Sequence, residues 1–200
     1  MEEFAQSYNK SNSRLWEERP SVMPFVSVMR RELFEVDIHD PSYTQGQFID
    51  DDVSTVYRRS GWKQILAKDT FMHHFGSVTL RDINDTMNID GFDNMRKVFY
   101  DKWGIDAWES RGTISCSNVV FDCCDIQDDD KILWIDPLFG CNFLDFRNRY
   151  IRNNKNLGNT KAIVTNAKYQ KDAEAYFSNV VVNKDVINAL SEDDSQYNII

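Results

Sequence analysis

The sequence predicts an α/β fold, and three observations carry that prediction. From Lys131 onward, short β-branched runs alternate with helical stripes in the order that builds a parallel β-α-β unit. Before Asp125, helical stripes end at glycines, Gly61 and Gly104, where a left-handed residue is wanted after the last turn. Between these patterns lies "DIQDDD", Asp125 to Asp130, a charged turn that marks a boundary. The division that follows is a first domain over residues 1–104, a linker over 105–127 and a second domain over 128–200.

In the first domain, Met1 to Pro20 reads as a helix or ordered arm with spaced apolar residues. "VMPFVSVM", Val22 to Met29, reads as a buried strand, and "RRELFEV", Arg30 to Val36, as a short helix facing Leu33 and Phe34 inward. "HDPSYTQGQ" is a loop. Asp52 can cap a helix beginning at Val53 by offering its carboxylate to the free amides of the first turn, and Gly61 ends that helix. "WKQILA" and "TFMHHF" follow as extended pieces. Phe92, Met95, Val98, Phe99 and Trp103 then form a helical stripe closed by Gly104. Within the linker, "SNVVF" is a short strand.

In the second domain "KILWI", "KAIVT" and "NVVV" are strands; Asn142 to Asn153, Ala167 to Phe177 and Lys184 to Leu190 are helices. Strands alternating with helices imply crossovers and a parallel sheet. The unit is about half of a usual doubly wound domain, so an edge strand is expected to need cover from another chain.

Composition excludes several classes. A net charge of -9 argues against holding nucleic acid by phosphate neutralisation, which needs a clustered basic surface. No apolar run approaches the roughly 20 residues that cross a bilayer, and the N-terminus lacks a secretory signal pattern. Cys116, Cys123, Cys124 and Cys141 form no C-x-x-C pair, which suits a reducing compartment. A cytoplasmic protein, held at a membrane through a partner if it works there, is the expectation.

The densest chemistry lies between Phe48 and Ser77: Asp50-Asp51-Asp52 before a helix, Arg58-Arg59 at its end, and His73-His74 in an extended stretch. Read from the residues alone, the three aspartates are a cap with solvated charge, the arginines a solvated helix face, and the histidines a packed or surface pair. A hydrolytic metal site of the histidines and aspartates is a weaker alternative, because adjacent residues in a strand point to opposite faces. Asp128-Asp129-Asp130 reads as a solvated turn.

Order and spacing add to this. Arg30-Arg31-Glu32-Leu33-Phe34, Asp40-Pro41-Ser42-Tyr43, Asp50-Asp51-Asp52-Val53-Ser54, Arg58-Arg59-Ser60-Gly61 and the run from Asp69 to Ser77 follow one another in an order that resembles the acceptor-side half of family 2 glycosyltransferases with the GT-A fold. "DKWG", Asp101 to Gly104, resembles the segment that follows this half. The resemblance implies a partial GT-A half that transfers a sugar from a nucleotide-sugar donor to a glycan or protein acceptor in cell-surface polysaccharide or protein glycosylation. By position it makes Asp50 the catalytic base, with Asp51 and Asp52 supporting it in the acidic motif and Asp52 ordering the loop. It makes His74 the contact to a divalent metal, Mn2+ or Mg2+, or to the donor diphosphate, with His73 the second choice. Arg58 and Arg59 join His73 as substrate-binding residues, one of them pairing with the motif carboxylates. The glutamate of the family pattern is Ile49 here, and the family's donor-binding half would precede residue 20. A non-catalytic binding or scaffold module lacking that half is the alternative.

"KILWIDPLFGCNFLDF" followed by "NTKAIVTNAKYQKDAEAYFSNVVV" resembles the opening of S-adenosylmethionine-dependent methyltransferases, a truncated Rossmann-like parallel unit. Of the glycines that let such a turn approach its cofactor only Gly140 is present, and the second strand ends in Thr165-Asn166 without a carboxylate. S-adenosylmethionine is therefore not expected, and the segment is expected to be a scaffold.

Overall fold

A computed structural model describes residues 1–22, 25–34, 40–44, 47–75, 89–109, 123, 126–152, 160–193 and 195–197. The expected "SNVVF" strand lies outside the described residues. The architecture is mixed α/β, with a two-stranded antiparallel sheet and a three-stranded parallel sheet. The chain divides into two compact units: Met1–Glu17, Ser21–Val56 and Gln64–Ala107 form the first, and Glu18–Pro20, Tyr57–Lys63 and Trp108–Ile200 the second.

The first unit opens with helix α1, Glu2–Tyr8. The Tyr8 hydroxyl donates to the Lys68 carbonyl at 2.7 Å, and the Asn9 side chain bonds the Phe71 main chain at both its carbonyl, 3.2 Å, and its amide, 2.5 Å. Strand β1, Trp16–Arg19, pairs with β2, Gln64–Ala67. The described residues of "VMPFVSVM", 22 and 25–29, form no strand: Phe25, Val26 and Val28 are exposed, and Val22 is held instead by the buried Ser54 hydroxyl, which accepts from its amide at 3.2 Å. A strand needs a neighbouring strand to take its backbone groups, and its side-chain pattern alone does not supply one. "RRELFEV" forms a 3-10 turn over Arg31–Phe34, with Leu33 buried.

Helix α2 runs Ile49–Arg59 and so begins four residues before the expected Val53. Phe48 adopts a left-handed φ of 62°, which turns the chain into the helix, and its carbonyl accepts from the Asp52 amide at 2.9 Å. Its buried ring packs on Phe92 and Phe99 at centroid distances of 5.1 and 6.5 Å, so tertiary packing sets the start that a cap at Asp52 would otherwise have set. Acids in its first turn and arginines in its last complement the helix dipole. Gly61, at φ 78°, ends it as expected, with its amide on the Arg58 carbonyl. "TFMHHF" carries no regular structure through Phe75. Helix α3, Ile89–Trp103, buries Met95 and Phe99 and stops at Gly104, φ 68°.

In the second unit β3, Ile132–Ile135, pairs in parallel with β4, Thr160–Val164, which pairs in parallel with β5, Val180–Val182. Alternation divides the side chains between two faces. Ile132 and Trp134 pack with Ile126 and with Phe146 and Tyr150 of helix α4, Cys141–Arg152. Leu133 and Ile163 pack with Ala189 and Leu190 of helix α6, Val186–Ser191. Between them a 3-10 turn, Ala167–Tyr169, leads into helix α5, Gln170–Glu174, where a longer helix to Phe177 was expected. Cover on both faces is what lets the strands read as near-continuous apolar runs.

Candidate functional site

The acidic motif stands on the first turn of α2, and its three members have separate environments. Asp51 is buried. Asp52 is 1% exposed, and Asp50 is only partly buried on the same turn. Asp52 does not cap the helix. Its Oδ1 accepts from the Trp103 indole Nε1 at 2.6 Å and the Tyr43 hydroxyl at 3.1 Å, and its Oδ2 accepts from Lys102 Nζ at 2.9 Å. Lys102 reaches a second carboxylate, Asp40 Oδ2, also at 2.9 Å, while Asp40 Oδ1 accepts from the Ser42 amide at 2.9 Å. The Lys102 ammonium also lies 5.2 Å from the Trp103 ring centroid and 5.9 Å from that of Tyr43.

The electrostatics follow from these contacts. The hydrogen bond from Lys102, followed by those from Ser42, holds the Asp40 carboxyl down to about 2. Burial opposes the charge of Lys102, yet the bonds to Asp40 and Asp52 outweigh it and raise its pKa above the ordinary lysine value. Burial, reinforced by Asp52, pushes the Tyr43 hydroxyl up, so Tyr43 stays a donor. The buried acid thus keeps three donors, two of them neutral, across the physiological range.

The arginines go elsewhere. Arg58 donates through Nε to Asp172 Oδ1 at 2.7 Å and through a terminal nitrogen to the Pro20 carbonyl at 2.7 Å; Arg59 donates to Asp172 Oδ2 at 2.7 Å. Asp172 is fully buried, and the Arg58 guanidinium lies 4.9 Å from the Phe139 ring centroid. Neither arginine was expected to meet this partner. A signal for it existed: Tyr169, Asp172 and Ala173 fall at helical spacing on the buried side, and a carboxylate on such a stripe requires a buried cation.

Both histidines are exposed. The His74 ring stacks on Phe25 at 4.7 Å with planes 13° apart, and His73 meets Phe75 edge-on at 4.5 Å. Neither belongs to the set that binds Asp52. Among the described residues no three His, Cys, Asp or Glu side chains converge as a metal-holding group. Gly76 and Ser77 of the histidine motif lie outside the described residues. Asp130 closes its turn by accepting from the Gln127 amide at 2.7 Å, and Asp128 stands 3.5 Å from the Tyr150 hydroxyl.

Sequence reasoning passed over Lys102 and Trp103 as functional groups, although "DKWG" had been singled out as a motif. At the end of β3, Asp136 accepts from the Thr165 amide and hydroxyl at 2.7 and 2.6 Å. Gly140, φ 81°, lies so near Tyr176 that a Cβ there would come within 2.5 Å of its ring. Among the described residues no helix is long and apolar enough to cross a membrane. Comparison with protein families, with curated proteins and with solved structures finds no match for this chain.

Proposed function

We propose that the first unit is the acceptor-side portion of a family 2 glycosyltransferase that acts in the cytoplasm, at a membrane through a partner, on glycan or protein acceptors of the cell surface. One observation carries the reading: three separated segments singled out by that resemblance, Asp40 to Tyr43, Asp50 to Ser54 and Asp101 to Gly104, meet at the carboxylate of Asp52. Three such segments have no local reason to share one buried acid.

In this reading Asp50 accepts the proton of an acceptor hydroxyl. The hydroxyl oxygen forms a bond to the anomeric carbon of the donor, the bond to the nucleotide diphosphate breaks, and the diphosphate leaves with the electron pair. The chain's own contribution is to bind and orient the acceptor and to hold the base; the arginines, tied to Asp172, are removed from substrate binding in this proposal. The divalent cation that the resemblance implies would neutralise the departing diphosphate.

A scaffold role for the second unit has its own support. Asp136 occupies the donors of Thr165 at the strand ends, and the close approach that Gly140 permits is taken by Tyr176. The test is turnover of UDP- and GDP-sugars with Mn2+ by this chain, alone and after addition of a donor-binding domain. Loss of a base costs about 10²–10⁴-fold, so Asp50→Asn is expected to reduce turnover by that factor with the fold intact. A wild-type chain inactive in both settings would leave the scaffold reading.

A further inference from the structure

We propose that Lys102 is a positioning residue for the acidic turn: by bonding Asp40 and Asp52 together it locks the loop Asp40–Thr44 to the first turn of α2 and so fixes where Asp50 points. The inference rests on the glycosyltransferase reading for the role of Asp50, and on the contacts themselves for the lock.

Each oxygen of Asp40 has a separate task. Oδ1 accepts from the Ser42 amide and shapes its own loop, together with main-chain bonds from the Tyr43 amide to the Asp40 carbonyl at 3.2 Å and from the Thr44 amide to the Ser42 carbonyl at 3.1 Å. Oδ2 reaches outward to Lys102. The same ammonium holds Asp52, so one cation joins a surface loop to a buried acid. Their exposures order the device: Asp52 side chain 2%, Asp40 24%, Lys102 32%. Lys102 sits in the last turn of α3, where the helix dipole favours a cation, and Trp103 beside it binds the other oxygen of Asp52.

The consequence for Asp50 is geometric. Residues two apart on a helix stand about 200° apart around its axis. Drawing Asp52 inward by three bonds therefore turns Asp50 away from that interior, to the partly exposed side where an acceptor hydroxyl can reach it. Loosening the lock frees the turn to rotate and fray, and the base loses its aim; a small misplacement suffices to lower turnover.

The experiment compares wild type with Lys102→Met, Lys102→Arg and Asp40→Asn by amide hydrogen exchange and by turnover with the donor-binding domain added. Asp40 is a surface residue, so Asp40→Asn keeps the test valid should Lys102→Met fail to fold. The proposal expects the amides of Ser42, Tyr43 and Thr44 to exchange at least about tenfold faster in Lys102→Met and in Asp40→Asn, those of β3 and β4 to be unchanged, and Lys102→Arg to restore most of the protection. It also expects kcat to fall with the loss of protection while KM for the donor stays constant. Unchanged exchange in both Asp40→Asn and Lys102→Met, or faster exchange with undiminished kcat, overturns it. Exchange reads the lock without any turnover, so an inactive wild type counts against the glycosyltransferase reading separately.

Discussion

Asp52 and Asp172, one in each unit, are the two most deeply buried carboxylates among the described residues, and they are neutralised in different ways. Asp172 is held by two guanidinium groups, Arg58 and Arg59, themselves only 3% and 14% exposed. Both partners are permanently charged, planar and directional, and they lie inside the unit with the acid. Asp52 is held by one ammonium, one indole and one phenol, and the ammonium is shared with Asp40 at the surface. The first arrangement ties its cations to one buried acid and, through Arg58, to the Pro20 carbonyl, and acts as a clamp. The second opens outward through Lys102, which joins the buried acid to the loop at Asp40. The same pair of residue types, acid and base, differs in what else shares the cation: a main-chain carbonyl for Arg58 and a second carboxylate for Lys102.

The largest expected effect lies at Asp172. Replacing it by alanine leaves two buried guanidinium groups without their anion, and removing one side of a buried ion pair costs about 3–5 kcal/mol. Urea unfolding of Asp172→Ala should show that loss. An unfolding free energy unchanged from wild type would mean that the buried pair is not a clamp. A smaller effect sharpens the same point: Gly140→Ala must place a Cβ in the Tyr176 ring at a positive φ, and overpacking of this kind costs about 1–3 kcal/mol, measurable as a lowered Tm. The effect should be the same whether or not any ligand is added, since Gly140 approaches a side chain.

The smallest expected effect is the pH response of the open arrangement. Lys102 holds the Asp40 carboxyl down to about 2, so the folded protein binds that proton less readily than the unfolded chain does. The contribution of this contact is therefore complete above the ordinary carboxylate value near 3.8 and is lost as pH falls through about 2. Carboxyl-carbon NMR should follow Asp40 down to that value, and Lys102→Met should move its titration back up toward the ordinary one.

The legible part of the molecule was the part organised by near neighbours. The strands of the parallel sheet and the helix Cys141–Arg152 follow the runs "KILWI", "KAIVT", "NVVV" and "NFLDF" closely, because alternation and helical spacing are local. Gly61 and Gly104 marked helix ends for the same reason. What could not be read was set by distant partners. "TFMHHF" and the described residues of "VMPFVSVM" have strand-like composition without forming strands. The start of α2 was misplaced because Phe48, packed on Phe92 and Phe99, decides it from outside the helix. In the site, the acidic turn was visible as a cluster, while the assignment of its inner member to Tyr43, Lys102 and Trp103 and of the arginines to Asp172 depends on contacts spanning up to 114 residues.

Whether the pinned first turn of α2 presents Asp50 as a base, as proposed, is decided by transfer kinetics of Asp50→Asn with nucleotide sugar, Mn2+ and an added donor-binding domain. A base at Asp50 requires kcat to fall about 10²–10⁴-fold, with the circular dichroism and Tm of the wild type. Turnover retained by Asp50→Asn at the wild-type rate would contradict it.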